Sequence, residues 1–226
     1  MKGLRVFWVI GIVAMAILIG QGTASAVVVG LSMTFTDGKS SVTVYDNGLT
    51  VNGFQDQDSR PGHMFVSGIL NSNFYINEWV DVTPYANPGQ PYKLLLTSDN
   101  TGKGTLEVIV SDQVAIPGSE PTLHPEVFAK STLNQGTMVF NTSVGAAFDP
   151  LTPPSNQNFT ATEQLPAVGN SGLTSVVLDY KLTNTDKTHD SLDVYSVTVA
   201  TPEPATLLLL GTGLVGLAGL GALRRR

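Results

Sequence analysis

The chain has 226 residues, a formal net charge of −6, 13% charged residues, 23 glycines, 13 prolines and no cysteine. The length allows one ordinary domain or at most two small ones, and the lack of cysteine excludes disulfide scaffolds, thiol nucleophiles and cysteine-ligated zinc sites. Residues 27–200 hold seven Lys/Arg and seventeen Asp/Glu, a net charge of −10. Such an acidic body repels phosphate and disfavours nucleic-acid binding.

The first 26 residues have the three parts of a secretory signal peptide. Lys2 and Arg5 precede an apolar run over residues 6–19, and Ala24 and Ala26 form a small-x-small cleavage site. We expect export by the Sec machinery and cleavage by signal peptidase after Ala26. An uncleaved anchor is the alternative, but the apolar run is shorter than the ~20 residues that span a bilayer.

Residues 27–200 show the period-two alternation of β-strands in short runs separated by Gly, Pro, Asn and Asp. The predicted strands are 27–35, 41–45, 49–54, 63–70, 74–80, 92–97, 105–111, 137–144, 173–182 and 192–200. Residues 125–133 are a short helical candidate. This pattern predicts an all-β fold, an antiparallel β-sandwich of jelly-roll or immunoglobulin-like type. We favour a single domain over 27–200, because the strands after the proline-rich connection 149–171 would make too small a sheet alone.

A group of carboxylates follows the second predicted strand. Asp46, Asp56 and Asp58 lie among glycines together with Asn47 and Asn52, and such oxygen ligands are the type that Ca²⁺ prefers. Their spacing is neither that of an EF-hand nor that of a nonapeptide repeat. Aspartate and asparagine also form turns, and we favour this interpretation over the calcium hypothesis. No other cofactor is predicted.

The first half of the body is rich in aromatic residues. On a β-sandwich, exposed aromatics stack on sugar rings, whereas buried ones fill the core. Core packing is the favoured interpretation, and a carbohydrate-binding surface is the alternative. The residues in question are Tyr45, Phe54, Phe74, Tyr75, Trp79, Tyr85 and Tyr92.

The sequence carries no catalytic motif. His63, His124 and His189 each stand alone, without the spacing of a metal site or of a base paired with a nucleophile. There is no GxSxG elbow and no phosphate-binding loop. A secreted glycoside hydrolase needs two carboxylates about 5–10 Å apart in one cleft, which a sequence does not show. We therefore expect the protein not to be an enzyme.

The C-terminal 26 residues have three parts. Pro202, Glu203 and Pro204 come first, residues 205–223 form an uncharged apolar span, and Arg224, Arg225 and Arg226 follow. The span has the length of a transmembrane helix, and the arginines place its end in the cytoplasm under the positive-inside rule. With an exported N-terminus, this topology puts the body in the periplasm.

This order of parts resembles the PEP-CTERM sorting signal of Gram-negative bacteria, over residues 201–226. The resemblance implies an exosortase substrate, recognised and cut near Pro202, Glu203 and Pro204. The protein would then be anchored in the inner membrane transiently before it reaches the cell surface or is secreted. PEP-CTERM systems tend to accompany exopolysaccharide production, so the expected role is structural, in a cell-surface or biofilm matrix. A carbohydrate-binding module is the alternative, and extracellular polysaccharide is a candidate partner in both cases.

Overall fold

A computed structural model describes residues 28–48, 50–84, 91–115, 122–134, 136–151, 159–169 and 172–200. The described residues form antiparallel strands and contain no helix. The strands are β1 Val28–Thr36, β2 Ser41–Tyr45, β3 His63–Leu70, β4 Phe74–Thr83, β5 Tyr92–Ala115, β6 Thr122–Thr132, β7 Thr137–Val144, β8 Ala147–Leu151, β9 Phe159–Gln164, β10 Val168–Gly169 and β11 Leu173–Ala200. The all-β prediction is therefore confirmed. The signal peptide and the C-terminal span lie outside the described residues, and within those residues we find no helix able to cross a membrane.

Two long strands, β5 and β11, organise the fold. They pair antiparallel along almost their whole length, and different strands flank their two halves. What we call the first sheet has the order β2, β1, second half of β5, first half of β11, β7, β8. What we call the second sheet has the order β3, β4, first half of β5, second half of β11, β6, β9, with β10 also on β6.

The long strands fold back so that the two sheets face each other. The Tyr92 hydroxyl donates to Asp112 Oδ2 at 2.8 Å, although the two residues lie twenty positions apart in β5 and a straight strand would separate them by roughly 65 Å. The bend falls near Gly102, which packs against the Phe74 ring. A Cβ on this residue would lie 2.2 Å from the ring, so a side chain does not fit here. The β5–β11 register shifts between Asn184 and Thr188, opposite this bend. The result is an antiparallel β-sandwich.

The core lies between the sheets and follows from strict alternation. In β5 the even-numbered residues are buried from Tyr92 to Val114, with the solvent-exposed exception of Gly104 at the bend. In β11 the register shift between Leu192 and Tyr195 changes the inward set from even to odd numbers. Each fully buried Val, Leu or Phe side chain contributes about 1.5–3 kcal/mol, which holds together a chain that has no disulfide.

Several local predictions are corrected by this topology. The helical candidate 125–133 is wrong, because Val127 and Ala129 alternate inward as part of β6, which pairs with β11 and β9. The predicted strand 49–54 is reduced to one bridge between Val51 and Phe54. The predicted strands 92–97 and 105–111 are parts of one long strand, β5. Likewise, 173–182 and 192–200 both belong to β11. The connection 149–171 contains β9 and β10.

Candidate functional site

The outer side of the second sheet carries a group of exposed aromatic and apolar side chains on β3 and β4. We call it the aromatic face and define it as Phe65, Ile69, Tyr75 and Trp79. Ile69 is 64% exposed, Tyr75 49% and Trp79 38%. The register places Phe65 opposite Trp79 and Ile69 opposite Tyr75. These side chains therefore form two rows on one surface, separated by the row of Ser67 and Asn77.

The alternation of β3 and β4 produces this face. In β4 the residues Phe74, Ile76, Val80 and Val82 fill the core, so their odd-numbered neighbours project outward. The Phe65 and Trp79 rings stack across the strands with centroids 5.0 Å apart and planes at 15°. The Tyr75 hydroxyl lies 3.2 Å from Ser67 Oγ. The rings are thus held in place by cross-strand contacts.

Polar groups surround the rings. Asn77 lies between Tyr75 and Trp79 on the outer side of β4. His63 Nδ1 lies 2.5 Å from Asp81 Oδ1 beyond Trp79, and His189 Nε2 contacts Asp99 Oδ1 on the β5 and β11 side. The sequence-based view of His63 and His189 as isolated residues is corrected here, because each is paired with an aspartate of a neighbouring strand. Carboxylate, amide and imidazole groups can all bond sugar hydroxyls.

The inner side of β4 is fixed by a buried polar cluster. Glu78 is fully buried, and its Oε1 accepts hydrogen bonds from the Tyr180 hydroxyl and from Asn100 Nδ2, the latter at 2.7 Å. Burial raises the pKa of Glu78 to about 8, so it is mainly protonated at neutral pH. Asn100 Oδ1 accepts from the Asn77 backbone N–H at 3.2 Å. The cluster links the first sheet to the strand that carries Tyr75 and Trp79.

The three predicted calcium ligands lie in the loop 46–62 between β2 and β3. Asp56 Oδ1 accepts from the backbone N–H groups of Asp58 and Phe65 at 2.9 and 3.0 Å. Asp46 Oδ2 accepts from the Gly62 N–H at 2.8 Å. The guanidinium of Arg60 holds the pKa of Asp58 at about 2. Each carboxylate therefore supports a turn, and among the described residues no group of three acidic or histidine side chains is placed to hold a metal.

The aromatic residues named from the sequence fall into two sets. Phe54, Phe74 and Tyr92 are buried, whereas Tyr45, Tyr75 and Trp79 are exposed. Tyr85 lies outside the described residues. Phe65 and Ile69 were missed by the sequence analysis, although the alternation of 63–70 puts both on the side opposite the buried Met64 and Val66.

The remaining predicted site residues lie outside the described part of the chain. They are Ala24 and Ala26 of the signal cleavage site, Pro202, Glu203 and Pro204 of the sorting motif, and the basic cluster Arg224, Arg225 and Arg226.

The chain was compared with protein families, curated proteins and solved structures. No protein-family model matches the chain, and no curated protein matches it. Among solved structures, the chain is similar to TmCBM61, which was solved in complex with β-1,4-galactotriose. The two are 10% identical, the match covers 67% of this chain and 90% of that chain, and the TM-score is 0.32. At this TM-score the likeness carries no argument about the fold or about a ligand.

Proposed function

We propose that this protein is a carbohydrate-binding β-sandwich module and that the aromatic face is its binding surface. The observation that carries the proposal is the exposure of Tyr75 and Trp79 on one strand, beside Phe65 and Ile69 and within a ring of hydrogen-bonding groups. Grouped exposed apolar side chains with a polar rim mark binding sites, and flat aromatic rings match the apolar faces of sugar rings.

The proposal assigns binding and no hydrolysis to this surface. A glycosidase places two carboxylates across a cleft that admits the substrate. Glu78 is sealed in the core, and Asp81 and Asp99 lie on an open sheet surface, each against a histidine. None of these three acids is placed as a general acid facing a second carboxylate across a cleft.

The binding assay compares variants of the two outer faces. We expect Trp79→Ala and Tyr75→Ala each to lower the affinity for a glycan that the protein retains on a glycan array, by about tenfold or more, as for an aromatic anchor of an interface. Tyr45→Ala is the matched control, since Tyr45 is 58% exposed on the first sheet, and its affinity should equal that of the wild type. Equal losses in all three variants would refute the assignment of the aromatic face.

We further propose that the module is exported and sorted by an exosortase to the cell surface or matrix. The support is the sequence alone: the signal peptide before Ala26, and the Pro202-Glu203-Pro204 motif followed by an apolar span and three arginines. At the cell surface or in the matrix, extracellular polysaccharide is a ligand that the module would encounter. Glu203→Ala should leave the chain at its unprocessed mass on a blot of exporting cells, while Glu163→Ala in the body should not. Normal processing of Glu203→Ala would remove the motif assignment.

A further inference from the structure

We infer that the ligand of the aromatic face is an uncharged glycan chain of several sugar units lying along β4, and neither a single sugar nor an acidic polymer. The inference rests on the proposed function and specifies the substrate class of the same site. Two independent features carry it: the spacing of the two exposed rings and the charge around them.

The spacing sets the length of the ligand. Tyr75 and Trp79 project from the same side of β4, four residues apart, which corresponds to roughly 13 Å along the strand. A hexose ring is much shorter than this, so one sugar cannot cover both aromatic side chains. Asn77 projects between them and offers an amide donor and acceptor to the intervening sugar. A linear oligosaccharide contacts all three positions at once.

The cross-strand rows of outward side chains on β3, β4 and β5 favour a ligand that lies along β4. Phe65 stacks on Trp79 and Ile69 lies opposite Tyr75, so the β3 side of each row is apolar. On the other side, Thr97 lies opposite Trp79 and Thr101 opposite Tyr75 in β5. Each row thus runs from an apolar to a polar side chain. A glycan chain lying along β4 therefore contacts apolar side chains of β3 on one side and threonine hydroxyls of β5 on the other.

The charges select against anionic glycans. Asp81 follows Trp79 in β4, and Asp99 lies in β5 between the threonines opposite the two rings. The outward side chains of β3, β4 and the first half of β5 include two lysines: Lys93 lies at the far end opposite Thr83, and Lys103 follows Thr101 at the bend, where it faces Asp186 at 3.7 Å. An acidic sugar would therefore approach carboxylates near both rings, which weakens binding at low salt. Hydroxyl groups of a neutral sugar instead donate to those carboxylates.

The test uses calorimetric titration of the full chain with galacto- and gluco-oligosaccharides of one to six units, and with oligogalacturonates of the same lengths. We expect the affinity for the neutral series to rise at least tenfold from the monosaccharide to the tetrasaccharide and then to level off. Oligogalacturonates should bind at least tenfold more weakly at low salt, with the gap narrowing as salt is added. Trp79→Ala and Tyr75→Ala should each reduce the gain with length, and thermal melting of both variants checks that they fold.

Asp81→Asn tests the charge argument, with Glu107→Gln on the outer side of the first sheet as its matched control. We expect the Asp81 variant to reduce the difference in affinity between neutral and acidic oligosaccharides, and the Glu107 variant to leave that difference unchanged. Equal affinity for mono- and tetrasaccharide would overturn the length inference, and tighter binding of oligogalacturonate would overturn the charge inference, while the proposed function would stand in both cases. Absence of binding to any glycan on the array, or a change in self-association on Trp79→Ala with no effect on glycans, would overturn the proposed function itself.

Discussion

The outer sides of the two sheets differ although both sheets are built on the same two strands. On the first sheet, a row running across the strands consists of Tyr45, Ser32, Ser111, Val177, Ser143 and Phe148. Its two exposed aromatics lie on the edge strands β2 and β8, roughly 24 Å apart. On the second sheet, Phe65 and Trp79 stack and Tyr75 lies four residues away on the same side. Single exposed aromatics need no explanation, whereas a group of them indicates a binding surface.

The comparison also shows that the inner and outer sides of a strand are under different constraints. The core requires apolar residues of suitable size at every second position, whichever sheet the strand belongs to. Outward positions are free of that requirement. On the first sheet they include serines and threonines, with a contact of 2.8 Å between the hydroxyls of Thr34 and Thr43, and the aliphatic residues Ile109 and Val177. The core therefore does not require the exposed aromatic residues of the second sheet, and the binding role proposed above accounts for their grouping.

The largest expected effect is a difference in stability between variants on the buried and the exposed side of β4. Phe74 is 1% exposed and packs against Gly102 at the bend, and its neighbour Tyr75 is outside. We expect Phe74→Ala to lower the free energy of unfolding by about 3–5 kcal/mol and Tyr75→Ala to change it by less than about 1 kcal/mol. Urea denaturation followed by tryptophan fluorescence measures both. Similar losses for the two variants would mean that Tyr75 is part of the core and not of a binding surface.

A second effect concerns the pH dependence of stability. The pKa of Glu78 is raised by burial from 4.5 to about 8, so between these values the folded state binds more protons than the unfolded state. The contribution of Glu78 to stability is fully present below about pH 4.5 and is lost as pH rises from there to about 8, a decrease of about 5 kcal/mol. Burial also raises the pKa of Asp112 and of Asp179, with the same sign. Urea midpoints measured from pH 5 to 9 should therefore decrease.

Glu78→Gln is the matched variant for this effect, because the amide has the shape of the protonated acid. We expect it to flatten the pH dependence above pH 5, with the residual slope due to Asp112 and Asp179. Glu126→Gln, at an exposed position of β6, should leave the slope unchanged. A slope that persists in full in the Glu78 variant would show that this acid is not the buried titrating group.

The comparison of the two faces defines what the sequence was able to predict. Alternation in 63–70 and 74–80 correctly predicted two strands, because period-two burial is a local property. Residues 98–104 lie between two predicted strands, yet they continue β5, since Asn100 is buried against Glu78 and Tyr180 from other strands. Partners that distant in the chain leave no local pattern. The grouping of Phe65 with Trp79 depends on strand register in the same way.

The smallest expected effect concerns the loop 46–62, which joins an edge of the first sheet to an edge of the second. Asp46 and Asp56 already accept backbone N–H groups from Gly62, Asp58, Phe65 and Asn47, as turn-forming carboxylates do. We expect 5 mM Ca²⁺ to shift the melting temperature by less than about 1 °C, because a cation would have to displace these bonds, and a ligand that binds the folded state must stabilise it. Asp56→Asn should destabilise the loop with or without calcium. A rise in melting temperature with Ca²⁺ that is lost in Asp56→Asn would instead establish the calcium site and make the loop a metal-dependent link between the two sheets.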